Sequence, residues 1–330
     1  LNSDMHANYN VQFRDSDIPS PIIANSDENS TTLPAFQVVA LTSSKYEVCM
    51  PLCSPSKRLR NQLSRSWVLA LFSCFAWSAC TKTVDSEPLV TWDLPATPDH
   101  FGAQFIPSDN PLSVMKWELG RKLFFDTELS IDGMLSCATC HIPSQAFGGA
   151  TPTTPGANGA DGTRNVPTLS NIGWHPYFTR EGGVPTLEMQ VLVPIQEANE
   201  LNHNIVLIAE QMNNDSAYVT MTQNAFGVEP SPFTITRALA AFERTLVSGT
   251  TAYDRWVQGD ASALSQAALH GQEIFDSIGC RQCHAGPQFS DFELRNNGTY
   301  ATYPDSGVYR LTLNPDDIGK FKTASLRNLS

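Results

Sequence analysis

Two copies of one short pattern constrain this chain more than anything else in it: Cys137-Ala138-Thr139-Cys140-His141 and Cys280-Arg281-Gln282-Cys283-His284. Two cysteines about one helical turn apart present both sulfurs to one edge of a planar ring, and the histidine that follows points toward the ring's centre. Cys-x-x-Cys-His is the attachment signal of a c-type haem, with thioether bonds from both thiols and an axial iron bond from the imidazole. A Cys-x-x-Cys zinc or thioredoxin-like site has no need of a histidine directly after each pair. The repetition therefore predicts two covalently bound c-type haems, on Cys137, Cys140 and His141 and on Cys280, Cys283 and His284.

The other cysteines fit targeting rather than disulfides. Cys49 precedes a segment that starts at Met50, carries Lys57, Arg58, Arg60 and Arg65, and continues into an apolar run from Trp67 to Ala79; Cys53 and Cys74 fall inside it. A basic stretch followed by an apolar run too short to span a bilayer is the layout of an export signal. Trp77-Ser78-Ala79-Cys80 resembles a lipoprotein cleavage site, with Cys80 as the lipidated mature terminus. The expected organisation is upstream sequence over 1–49, an export signal over 50–79, a tether over 80–110, one haem domain over 111–250 and a second over 251–330. Residues 1–79 hold six basic and six acidic side chains, so the net charge of −12 arises from Cys80 onward. An acidic body argues against nucleic acid as a partner.

Helical periodicity accounts for most of the remainder. Leu112, Met115, Leu119, Leu123 and Phe124 share one face after Pro111. Thr186–Val193 and Ile205–Met212 read as helices, and Ile235, Ala238, Leu239, Phe242 and Leu246 form the clearest apolar stripe. Leu264, Ala268, Gly271, Ile274 and Phe275 lead into the second haem motif. The Gly-, Pro- and Thr-rich stretch from Ile142 to Thr163 reads as a flexible loop. The fold class expected is mostly α.

Several segments resemble the bacterial di-haem cytochrome c peroxidase family: Leu119 to His141, Gly162 to Asn171, Leu187 to Glu200, Ala238 to Ser248, Ala252 to Asp260, Gly279 to Asp291 and Gly319 to Asn328. The resemblance implies two cytochrome c-like haem domains and reduction of hydrogen peroxide to water, with electrons from a small cytochrome c or cupredoxin. His141 would hold the peroxide-reacting iron and His284 the electron-relaying one. The resemblance puts Glu200 on the distal side of the first haem as the catalytic carboxylate, able to move a proton between the two peroxide oxygens. Gln190 and Pro194 lie in the same block, and Asn165 matches a residue that helps hold a calcium ion. A periplasmic location follows, as a lipoprotein if Cys80 is lipidated, and a homodimer is compatible with the reading.

Two departures matter. Many family members carry a removable distal histidine after the first motif, but no histidine lies between Ile142 and Trp174, and an ungapped register puts Ala157 there. The same register gives Arg180 where the family places a tryptophan between its haems, with Trp174 the nearest indole; His175 beside it reads as packing. His203 and His270 read as solvent-facing, and His100 as part of the tether. No Met or His follows His284, so the Met that the resemblance implies as the second haem's sixth ligand is not in this sequence, and the second domain is expected to be truncated; Tyr300, Tyr303 and Tyr309 are the weaker alternatives as ligand. The competing readings are a di-haem oxidase acting on a protein substrate during quinone cofactor maturation, and a non-enzymatic di-haem electron carrier.

Overall fold

A computed structural model describes Pro95 and residues 97–329. The expected upstream segment, the export signal, Cys80 and most of the tether lie outside the described residues.

The helices are α1 (Val114–Phe124), α2 (Cys137–Cys140), α3 (Leu187–Gln190), α4 (Leu192–Gln196), α5 (Ile205–Met212), α6 (Ser216–Phe226), α7 (Pro232–Glu243), α8 (Ala252–Val257), α9 (Gln266–Ser277) and α10 (Tyr309–Thr312). The only sheet among the described residues is an antiparallel pair, β1 (Leu294–Arg295) with β2 (Phe321–Lys322), in the register Leu294 to Lys322 and Arg295 to Phe321. The chain is thus mostly helical, as expected.

The core forms around α7. Ser231 caps its start, Pro232 occupies a first-turn position where its missing N–H costs nothing, and Ile235, Ala238, Leu239 and Phe242 are at most 2% exposed. Helix α1 lies against α7 and α6. Gly120 permits this closeness, since a Cβ there would come within 1.9 Å of the Ala238 carbonyl oxygen. Ser113 caps α1, so the helix begins later than Pro111 suggested, and Met115, expected on its buried face, is 48% exposed. A polar network crosses the core. Arg244 holds both oxygens of Glu188 (2.6 and 2.9 Å), Asn110 donates to Glu188 (2.8 Å), and Lys116 donates to Asn110 (3.1 Å).

Helix α6 carries no clear apolar stripe; its buried residues are Tyr218 and Thr222. The stretch after His141 contains no α-helix, yet it is hydrogen-bonded in place, with isolated bridges between Ile142 and Gly148 and between Pro155 and Asp161. The described residues fall in one compact unit, and the boundary expected near Thr250 is crossed by an ion pair from Arg164 to Asp305 (2.7 Å) and by a hydrogen bond from Lys322 to the Tyr177 carbonyl (2.8 Å).

Candidate haem sites and distal carboxylate

The two motifs fold alike. In each, the histidine backbone N–H closes a turn onto the first cysteine's carbonyl, His141 to Cys137 at 2.8 Å and His284 to Cys280 at 3.0 Å. In each, the ring Nδ1 lies against a backbone carbonyl a few residues on, His141 to Phe147 at 2.9 Å and His284 to Phe289 at 3.0 Å. A carbonyl can only accept, so Nδ1 carries the proton and Nε2 offers its lone pair, the tautomer an iron ligand needs. Burial pushes the His141 imidazole below its ordinary pKa, partly offset by the carbonyls of Phe147 and Pro167, which favours the neutral ligand form. Ser136 and Thr139 hold the first motif's short helix through a reciprocal cap, with the Ser136 N–H donating to Thr139 Oγ1 (3.0 Å).

Glu200 lies within electrostatic reach of the first motif: its charge raises the Cys137 pKa, behind burial, Glu243 and Cys140, and the Cys140 pKa, behind burial. The backbone holds it there. Glu200 N–H donates to Glu197 O (3.0 Å), and its own carbonyl accepts from Ala157 N–H (2.7 Å). Ala157, the residue matched to the missing distal histidine, is 1% exposed and so packs directly on the Glu200 segment. Gly156 allows the approach, because a Cβ there would stand 2.2 Å from the Asn199 carbonyl oxygen. The Glu200 side chain is open to solvent, although the protein around it, with the charge of Glu197, raises its carboxyl above the ordinary value. Gln190, from the same block, has a buried Oε1 with no hydrogen-bond partner. The two Nδ1-anchored imidazoles, each beside a pair of cysteines, fit haem at these motifs.

The remaining expected residues divide. Asn165 does not fit a calcium site, because one guanidinium nitrogen of Arg180 donates to both of its oxygens, the backbone carbonyl at 2.9 Å and the side-chain Oδ1. A calcium there would have to displace this cation. Arg164 is close by and binds Asp305 and Glu181. A hollow of about 430 Å³ lined by Arg164, Arg180, Tyr300, Tyr303, Asp305 and Phe321, among others, lies on this side, and neither Glu200 nor any motif residue lines it. Trp174 donates to Gly102 O (3.1 Å) and stacks edge-on against Phe101, so it holds the entering chain. His270 is exposed and His175 is packed, as read; the latter's ring lies 4.6 Å from that of Phe292.

Two histidines correct their readings. His203 is 7% exposed because its N–H bonds back to Ile195 O (2.7 Å), folding it under the Glu200 turn. His100 bonds Asp254 (2.7 Å) in a buried cluster with Arg327. That pairing spans more than half of the described chain, and no local signal announces it.

Fold and site together define a mostly helical protein with two Cys-x-x-Cys-His motifs whose histidines are alike in their backbone anchoring. A family model described as di-haem cytochrome c peroxidase matches residues 115–262. The chain is 35% identical over 232 residues to the methylamine utilization protein MauG of Methylophilus methylotrophus, covering 68% of each. It is 36% identical to MauG of Methylorubrum extorquens, covering 68% of this chain and 64% of that one. Its identity to the cytochrome c551 peroxidase of Nitrosomonas europaea is 32%, over 64% of this chain and 65% of the relative. A solved MauG-like protein associated with microbial copper homeostasis superposes with a TM-score of 0.67 at 32% identity, covering 70% of this chain and 74% of that one. The chain belongs to the di-haem cytochrome c peroxidase family, whose two-haem character matches the two motifs.

Proposed function

We propose that this chain is a di-haem c-type peroxidase that converts hydrogen peroxide, two electrons and two protons into two waters. Cys137 and Cys140 anchor one haem and Cys280 and Cys283 the other, with His141 and His284 as proximal iron ligands. The haems supply the redox and oxygen chemistry when bound, and the chain sets ligation, proton delivery and access. Electrons enter at the His284 side from a small cytochrome c or cupredoxin and are used at the His141 side. Glu200 takes the proton from one peroxide oxygen and returns it to the leaving one, while the buried Gln190 amide orients the peroxide. The observation that carries the reading is that in both attachment motifs the histidine Nδ1 lies on a backbone carbonyl, leaving Nε2 to face an iron, and the Ala157 N–H on the Glu200 carbonyl supports the role given to Glu200. Residues 111–250 form the peroxidatic portion and 251–330 the electron-transfer portion. The export signal places the protein in the periplasm, with lipidation at Cys80.

The test is electron paramagnetic resonance of the oxidised, haem-loaded protein together with peroxide turnover against a reduced small cytochrome. A high-spin first haem and rapid turnover are expected; two low-spin haems silent toward peroxide would instead make the protein an electron carrier. A second reading, oxidation of a protein substrate as part of quinone cofactor maturation, is favoured by Ala157 where a displaceable histidine would stand and by the identity to the MauG proteins. It predicts slow peroxidase turnover and a long-lived oxidised state after peroxide.

A further inference from the structure

Most buried or half-buried cations in the described residues have a carboxylate beside them. Arg244 has Glu188, Arg327 has Asp254, and Arg164 has Glu181 and Asp305. Lys116 hydrogen-bonds only neutral oxygens but feels the nearby charges of Asp109 and Glu188. Lys322 is different. Its Nζ lies 2.8 Å from the Tyr177 carbonyl and 3.2 Å from His175 Nδ1, and over the rings of Tyr177 (5.7 Å) and Phe178 (6.0 Å). All of these are neutral groups, and no carboxylate pairs with it among the described residues. Burial alone lowers the ammonium to about 8. A desolvated cation held only by neutral acceptors is costly unless an anion completes its shell.

The position of Lys322 says where that anion comes from. Its backbone N–H donates to Arg180 O (2.7 Å), and the next residue is sewn to the segment that leaves the second motif, residues 290–293, with Thr323 N–H on Glu293 O (2.9 Å) and Ser290 Oγ on Thr323 O (2.7 Å). That segment is itself tied to the motif by Asp291 N–H on Cys283 O (2.8 Å). Tyr177 OH donates to Phe292 O, bringing the 175–180 segment against it. His175 is kept neutral, first by burial and then by the charge of Lys322, at about 3. Because its Nδ1 accepts from the ammonium, its Nε2 carries a proton and is a second donor in the cluster.

On the di-haem reading above, we propose that Lys322, seconded by His175, is the cation that binds a propionate of the haem held at Cys280 and Cys283. Haem brings its own carboxylates, which are anions of the kind this cluster lacks. Lys322 is then a positioning residue: it orients the haem and, as a fixed positive charge near it, favours the reduced state.

The experiment uses the full chain loaded with haem, with Lys322→Met and Lys322→Arg. Haem content tests the underlying reading separately, since fewer than two haems per wild-type chain defeats that reading and not the assignment of Lys322. With two haems in place, Lys322→Met is expected to lower the reduced-to-oxidised ratio of the second haem at fixed potential about tenfold, a shift of ~59 mV for a one-electron couple. Lys322→Arg should keep the ratio within about threefold of wild type, and the first haem should be unchanged. Unaltered potentials in a Lys322→Met protein carrying both haems overturn the proposal. If that variant does not mature, the crystal structure of the loaded wild type decides: Nζ within hydrogen-bond distance of a propionate oxygen supports the assignment, and its absence there ends it.

Discussion

At Glu200 accessibility and electrostatics combine in a way suited to proton transfer. The carboxylate is reachable, yet surrounding protein and Glu197 raise its pKa above the 4.5 of an ordinary glutamate. A group that accepts the peroxide proton works in its ionised form, so protonation switches it off. The raised value moves that switch upward: kcat/KM should rise with pH along a limb lying above 4.5, whereas an unperturbed glutamate would place it at that value. Glu200→Gln should remove the limb and lower kcat/KM for peroxide about 10²–10⁴-fold, the usual worth of general acid–base assistance. Haem content should not change, because Glu200 holds no part of the attachment motif. Steady-state assays from pH 4 to about pH 8 on both proteins would make the comparison, and a glutamine variant with near wild-type rates would remove Glu200 from the chemistry.

Between elements, the most consequential contact is the buried pair joining α8 to the segment around Arg327. Asp254 is 0% exposed, caps its own helix through Thr251, and receives two guanidinium bonds (2.6 and 3.1 Å) and one from His100 (2.7 Å). Desolvation alone would raise its pKa, but the hydrogen bonds from Arg327, Thr251 and His100 outweigh it and hold the group at about 2. Since the folded value is depressed below the ordinary 3.8, the stability it confers is present above 3.8 and is lost as pH falls through about 2. That linkage is worth about 2 kcal/mol. Asp254→Asn leaves Arg327 buried beside a neutral amide and should cost about 3–5 kcal/mol in urea unfolding of the haem-loaded protein. The gap between wild type and variant should be constant above pH 3.8 and narrow below it; a gap independent of pH would mean that Asp254 is not held ionised by this cluster. His100 could not be placed here from sequence, because its partner is 154 residues away.

Over the whole molecule, legibility followed the source of each element's stability. Helices α5, α7 and α9 repeat apolar residues at helical spacing, and their existence was readable from that alone. Helix α6 was not, since it buries a Tyr and a Thr four residues apart, and a stripe with a hydroxyl in it does not register as apolar; only its Asp215 cap and terminal Gly227 mark it. The attachment residues were legible because haem chemistry fixes their spacing. Glu200 needed the block around it, and Lys322 needed the fold, since a buried cation cannot be told from a surface one by type. The same distinction separates the two haem portions. Helix α7 buries nine of its residues in protein, whereas α9 buries none, and past Thr250 the only apolar side chain in the core of the described residues is Val308. Ile274 and Ile278, near the second motif, are 45% and 70% exposed. Apolar burial is the main stabilising term in a fold, so a helix without it draws little support from the protein around it. On the di-haem reading, the haem at Cys280 and Cys283 supplies that missing surface. Cys280→Ala with Cys283→Ala should therefore leave amides of residues 266–277 exchanging nearly as fast as in an unfolded chain, while those of residues 232–243 keep their protection. Hydrogen exchange followed by mass spectrometry reads both helices in one sample. If α9 stayed as protected as α7 without its haem, the second portion would have a protein core of its own, and the haem would be its passenger rather than its scaffold.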